Sequence, residues 1–286
     1  MEYVWITLAV LIIITALSIF LYLQNNSLDV TKYELKSDRV QHEICIAHLS
    51  DLHSKPFMKL LRALQQQKPD VIVITGDYIN DRAKRKQEML TYGKKLLQLA
   101  PVYYITGNHE RRLNEFDTLM NELEGIGFHV LLNMTDVADI NGNRLSILGL
   151  DENQANFDDY KARKNGTFRY QDMKPYFDKL ESLDGYRIVL SHYPENFQAV
   201  KENNYSQYDF ELQLSGHAHG GQFIIPFIGP VFSPGQGIRP RYARGAFGDH
   251  PMLIVSRGIG NAEFPFRLFN HPELNIIRIF PATNKE

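Results

Sequence analysis

Short apolar runs rich in β-branched residues recur along this 286-residue chain, and most of them give way within a few residues to Asp, His or Asn. They are EICIAHLSDLH, PDVIVITGD, VYYITGNHE, LSILGLDE, YRIVLSHYP, FELQLSGHAH, MLIVSRGIG and LNIIRIF. Runs of this length and composition, bounded by polar residues, read as strands. Helix-like stretches such as MKLLRALQQQK and RKQEMLTYGKKLLQLA lie between the early ones, so the first half reads as successive βα units of a layered α/β domain. From Gly142 onward helices are sparser, and a second, more antiparallel sheet is expected there. No internal repeat or low-complexity block interrupts the pattern.

The N-terminus is a different material. Val4 to Leu23, VWITLAVLIIITALSIFLYL, carries no charge over 20 residues, and as a helix it spans about 30 Å, the thickness of the hydrocarbon core of a bilayer. A cleaved signal peptide is the competing reading. Against it, the leader MEY has no Lys or Arg, the run exceeds a usual apolar signal core, and no small-x-small cleavage site follows in QNNS. The reading is therefore an uncleaved anchor at 4–23. Lys32, Lys36 and Arg39 follow the span and no basic side chain precedes it, which weakly favours a cytoplasmic domain and leaves the side of the membrane open. The polar stretch 24–40 reads as a tether, residues 41–281 as the folded domain and 282–286 as a tail.

Net charge is −2, so no chain-wide positive field exists to hold nucleic acid. A single cysteine, Cys45, excludes an intrachain disulfide and any Cys-rich zinc site.

In open α/β sheets, ligands bind beyond the carboxyl ends of the strands, where several strand ends converge. Asp51 and His53, Asp77, Asn108 and His109, His192, and finally His217 and His219 all follow apolar runs closely, so five runs deliver them to one rim. His217 and His219, two apart in an extended segment, would both face it. Singly, each residue could be a wall histidine, a helix cap or a turn residue. Jointly, five of the ten histidines fall in these motifs, which core packing would not require. Carboxylate, imidazole and amide donors without thiolate suit Mn, Fe, Zn or Co. The set exceeds what one ion needs, so a pair of divalent ions sharing Asp77 is the economical arrangement. Two ions about 3.5 to 4 Å apart clamp the attacking and leaving oxygens of an in-line displacement and acidify bound water, which is equipment for cleaving a phosphoester.

The ordered set SDLH, GDYIND, GNHE, SHYP and GHAH resembles the calcineurin-like metallophosphoesterases over roughly residues 41–281. GHAHGGQ followed by SRGIGNAEFPFRLFNHPEL further resembles membrane-associated members that include UDP-2,3-diacylglucosamine hydrolase-like proteins. The resemblance implies that Asp51, His53 and His219 bind one ion with Asp77 bridging, and that Asn108, His192 and His217 bind the other. It also implies that His109 contacts the phosphate and protonates or orients the leaving oxygen, with Glu110 holding its ring. One departure stands out: the family's G-D-x-x-D places a carboxylate at position 80, where this chain has Asn80 and then Asp81, so support of the metal site is expected to differ.

Phe223 to Phe232, FIIPFIGPVF, has no charge. It reads as a loop or strand buried against the second sheet, with an exposed patch touching lipid as the alternative. Among the arginines downstream, Arg257 and Arg267 lie in the subgroup-like segment and are the expected substrate contacts. The basic run Arg82, Lys84, Arg85, Lys86 reads as a solvated helix start.

The expected whole is an α/β/β/α sandwich of two packed mixed sheets flanked by helices, preceded by one transmembrane helix. It would hydrolyse a phosphodiester or pyrophosphate, on a membrane lipid or sugar-nucleotide lipid precursor, with two divalent ions and no obligate protein partner. A broad phosphomonoesterase and a catalytically silent membrane scaffold are the alternatives; a nuclease ranks last.

Overall fold

The computed structural model describes residues 2–82, 85–152, 162, 165–198, 203–261 and 264–282. The first sheet comprises β1 (Asp29–Ser37), β2 (Ile44–Leu49), β3 (Val71–Thr75), β4 (Val102–Ile105), β5 (His129–Val130) and the last strand, Glu273–Pro281, in the order β1, Glu273–Pro281, β2, β3, β4, β5. Strands β2 to β5 run parallel, joined through α2 (Met58–Gln67), α3 (Lys86–Leu97), the single turn α4 (Asn108–Arg111) and α5 (Phe116–Ile126). The second sheet is built from β6 (Met134–Ile140), β7 (Asn143–Gly149), β8 (Tyr186–Leu190) and β9 (Leu212–Ser215), with Gly245–Phe247 and Met252–Val255 beyond β9; helix α6 (Lys174–Glu181) connects β7 to β8. Its four central strands are parallel and only its two edge pairings are antiparallel. The expected antiparallel character of the second half is therefore confined to the margins, because crossover segments, though thinly helical, still return the chain to the same end of the sheet before each new strand.

Strand periodicity explains the layers. In β2, Ile44 and Ile46 face the second sheet, while Cys45, Ala47 and Leu49 face the helices; in β3, Val71 and Val73 divide from Ile72 and Ile74 in the same way. Ile188, Leu190, Leu212, Leu214 and Ile254 complete the core between the sheets, whereas Val189, Leu253 and Val255 turn outward onto Phe177 and Leu180 of α6. Both faces of each central strand are buried, so the runs read as nearly continuous apolar segments. The result is an α/β/β/α sandwich.

Helix α1 (Glu2–Asn26) stands outside this sandwich. Its 25 residues extend about 37 Å. None of its apolar window is buried, and the hydroxyls of Thr7 and Ser18 donate to carbonyls one turn back.

The segment 24–40 is not a tether. Asp29–Ser37 pairs in parallel with the last strand along its full length, alternating half-buried and exposed positions, with Lys32, Glu34 and Lys36 on the outward face as suits an edge strand. The helix end is also fastened to the domain. Lys55 Nζ donates to Asn25 O at 2.7 Å and Lys59 Nζ to Asn26 O at 2.6 Å, so two ammonium groups cap the terminal carbonyls. Arg267 N donates to Asn25 Oδ1 at 2.8 Å, and the Phe20 and Phe269 rings meet edge to face at 5.7 Å.

Candidate metal centre

Five parallel strands end on one rim. Asp51 and His53 follow β2, Asp77 follows β3, Asn108 and His109 follow β4, His192 follows β8, and His217 and His219 follow β9. At most of these ends the backbone turns through the left-handed region: φ is 52° at Asp51, 46° at His53, 52° at Asp77, 63° at His217 and 48° at His219. Conformations that side-chain-bearing residues seldom adopt cluster where a site demands them. Two glycines permit the approach of neighbouring strand ends. A Cβ on Gly107 would collide with Asp77 Oδ1, and one on Gly216 with Ser50 Oγ and Asp51 Oδ2.

His217 and His219 do not lie in an extended segment. The strand stops at Ser215 and the chain enters a turn, which sends the two rings to different groups. Asp51, His53 and His219 form one cluster of possible metal donors and Asp77, His192 and His217 another, with His53, Asp77 and His109 as a third that overlaps both, each with donor atoms within 4.8 Å of one another. Asp77 Oδ2 lies between the first two, 3.7 Å from His53 Nε2 and 3.5 Å from His192 Nε2. Asn108 Oδ1 joins the second cluster 3.2 Å from His192 Nε2.

The chemistry of these donors fits cations. His53 Nε2 and His219 Nε2 face each other at 3.0 Å. Burial pushes His53 down to about 3 and holds His217 and His219 well below the usual histidine range, so all three rings are neutral, the state in which imidazole binds a metal. Burial also pushes the Asp51 carboxyl up to about 6. His192 Nδ1 donates to Thr75 O at 2.8 Å, which fixes the ring and directs Nε2 into the site. Burial opposes charge on this ring, but Asp77 beside Nε2 drives it up to about 10. Burial would likewise raise Asp77, and His192 and His109 override it and keep Asp77 well below the carboxylate range. A dense, buried group of carboxylates and imidazoles, three of the rings neutral, suits a divalent ion, which would take the place of the proton that His192 holds beside Asp77.

Supporting residues differ from those expected. Glu110 does not hold the His109 ring; its carboxylate accepts the backbone N–H groups of Asp77, Ile79 and Gly107 at 3.0, 2.9 and 3.0 Å, locking two strand ends together. Asp81 attends His109 instead, through an N–H donated to Nδ1 at 3.3 Å and a carboxylate oxygen 3.7 Å from that atom. The shifted carboxylate of GDYIND thus reaches the ring from the next position.

Glu152, fully buried at the end of β7, escaped sequence reading. It accepts from His192 N at 3.0 Å, Ser191 Oγ at 3.0 Å, Asn196 Nδ2 at 2.6 Å and Tyr205 Oη at 2.9 Å. Its only signal was the shared one, an acidic pair directly after the apolar run LSILGL. Replacing Glu152 with Ala strands these donors and frees the His192 loop. We expect a stability loss of about 2–4 kcal/mol and metal affinity lower by about 10- to 100-fold, read by thermal unfolding and calorimetric metal titration; a variant matching the parent in both would exclude this role.

Neither predicted substrate arginine bonds to a metal donor, although the charge of Arg267 is felt by His53, His219 and Asp51. Arg267 is buried, and its guanidinium donates to Arg257 O, Asn270 O, Gly260 O and Asn261 Oδ1; burial lowers it to about 10. Arg257 pairs with Glu273 at 2.9 Å and Asp29 at 3.0 Å. Arg257 holds the segment after Val255 against the first sheet, and Arg267 ties that segment to itself. Of the basic run near α3, Lys84 lies outside the described residues, and Lys86 pairs with Glu115 and Glu122.

Comparison with known proteins decides the family: the model of the calcineurin-like phosphoesterases matches residues 45–221, the stretch that carries every one of these donors. The chain belongs to the calcineurin-like phosphoesterase family. Among relatives of this phosphoesterase, the metallophosphoesterase YkuE of Bacillus subtilis is 29% identical over 90% of this chain and 87% of its own. The phosphodiesterase YaeI of Escherichia coli is 27% identical over 82% and 81%. A solved structure of the sulfate thiohydrolase SoxB of Thermus thermophilus superposes with a TM-score of 0.51, covering 83% of this chain and 57% of that one at 10% identity, which shows a shared fold alone. The phosphoesterase is thus a metal-dependent hydrolase of phosphoric esters with clustered His and Asp donors.

Proposed function

We propose that this phosphoesterase uses two divalent ions to hydrolyse a phosphodiester or pyrophosphate bond of a membrane lipid or sugar-nucleotide lipid precursor, and that α1 anchors it in the membrane. The observation that carries the hydrolytic reading is Asp77 Oδ2 standing between two donor clusters. Asp51, His53 and His219 would hold one ion, Asn108, His192 and His217 the other, and Asp77 both. When bound, such a pair supplies Lewis acidity and a nucleophile at neutral pH. The remaining work falls to the chain. His109, the ring at the rim, donates a proton to the leaving oxygen; Asp81 orients it; Glu110 and Glu152 keep the strand ends from spreading. The phosphodiesterase relative supports a diester over a monoester, and the length, apolarity and exposure of α1 support the anchor.

The test assays bis-p-nitrophenyl phosphate beside p-nitrophenyl phosphate with manganese added. Faster turnover of the diester is expected; faster turnover of the monoester would replace this reading with that of a broad phosphomonoesterase, and no turnover of either with metals bound would favour a scaffold.

A further inference from the structure

The uncharged stretch expected to be buried is largely exposed. Residues 223–238 contain no Asp, Glu, Lys or Arg and form two small hairpins, Ile224–Ile225 with Gly229–Pro230 and Phe232–Ser233 with Gly237–Ile238. The first hairpin is packed only at its root, and the turn of the second lies against Glu195 and Tyr242. Ile224 is buried, whereas Phe227 is fully exposed, Ile238 is 79% exposed and Ile228 is 58% exposed. A surface that presents several large apolar side chains together marks a contact with something apolar.

What covers it follows from its neighbours. Phe223 bridges to Leu268, and its ring meets Phe264 at 5.3 Å and Phe266 at 5.7 Å. The next aromatic, Phe269, is half exposed and touches Phe20 in the last turns of α1. The hairpins, the 264–269 segment and the end of the apolar helix thus form one connected series of contacts. Lys55 and Lys59 cap that helix end, and exposed Arg239 stands at the base of the second hairpin. Cations beside an apolar surface match the level of anionic lipid headgroups. The same segment adjoins the metal donors. Asn270 Nδ2 donates to His219 O at 2.7 Å and Gln222 O at 3.0 Å, and Val231 N donates to Gly221 O.

We propose that the hairpins at 224–238, with Phe264 and Phe269, form a second membrane contact that seats the catalytic domain on the bilayer spanned by α1, with the rim of the metal centre at the lipid surface. The proposal rests on the reading of α1 as an anchor and adds that the domain lies on the membrane, where headgroup phosphates meet the site directly. A fixed junction favours this, since the domain has no flexible tether on which to leave the surface.

The test places a nitroxide at position 227 in the full-length chain in vesicles of zwitterionic and anionic phospholipid. The variant is F227C in a C45A background, with K174C on exposed α6 as the aqueous control. The label at 227 should collide more with dissolved oxygen than with a water-soluble nickel chelate, and the label at 174 should show the reverse. Equal nickel accessibility at both positions, in protein that resists alkaline carbonate, overturns the docking surface and leaves the anchor standing. Release by carbonate overturns the anchor and the docking surface together. Hydrolysis of a soluble ester is independent of either result and reports separately on the metal centre. If F227C does not fold, I238C carries the label on the neighbouring hairpin.

Discussion

Replacing Asp77 with Ala is expected to remove both metal ions and to lower phosphodiester turnover about a thousandfold or more. Asp77 Oδ2 is the oxygen within 4 Å of nitrogens from both clusters, His53 on one side and His192 on the other. Its second oxygen accepts the backbone N–H of His109 at 2.9 Å, so the carboxylate also ties β3 to the turn carrying Asn108. Without it the two groups lose their shared negative charge, while the buried imidazoles keep the cost of any residual cation high. Metal-ion stabilisation of a phosphoryl centre is worth several kcal/mol; about 4 kcal/mol at about 1.4 kcal/mol per decade gives the thousandfold figure. Metal content separates this role from a general loss of folding. The parent should hold two ions per chain, the Asp51→Ala chain one, and the Asp77→Ala chain fewer than one, with far-ultraviolet circular dichroism unchanged. An Asp77→Ala chain that still held two ions and turned over would refute a shared ligand.

Most of this centre was legible because its residues obey a local rule. Each donor stands just past an apolar run, and a parallel sheet gathers such ends on one rim. What failed depended on partners remote in sequence. Asp29–Ser37 carries enough lysine and glutamate to resemble a tether, and its pairing strand begins 244 residues later, at Glu273. Arg257 and Arg267 have the side chains of phosphate ligands, yet their partners are Asp29, Glu273 and a set of carbonyl oxygens. Glu110 and Glu152 work by accepting backbone and side-chain donors from other loops, which no spacing motif records. The hairpin stretch misled for a different reason: an uncharged run has the same composition whether it is packed in a core or left at the surface.

His109 tests the proton inventory of the reaction. Its ring sits at the margin of the site, Nε2 lying 3.9 Å from Asp77 Oδ2. Because Asp81 N donates to Nδ1, the neutral ring carries its proton on Nε2, the nitrogen turned toward the metal donors. A proton held there can be given to a departing alkoxide. Removing it with His109→Ala should slow cleavage of an alkyl phosphodiester by about 100- to 10,000-fold. The loss should shrink when p-nitrophenolate departs, since that anion leaves unprotonated. Both metal ions should remain, because the donor clusters retain Asp51, His53, Asp77, His192, His217 and His219. Asp81→Ala should follow the same pattern more weakly, about tenfold at most, because it removes the carboxylate 3.7 Å from Nδ1 and keeps the backbone N–H that Nδ1 accepts. Equal losses for alkyl and nitrophenyl leaving groups would remove His109 from proton transfer and leave it only a binding role; loss of metal in the same variant would make it a ligand.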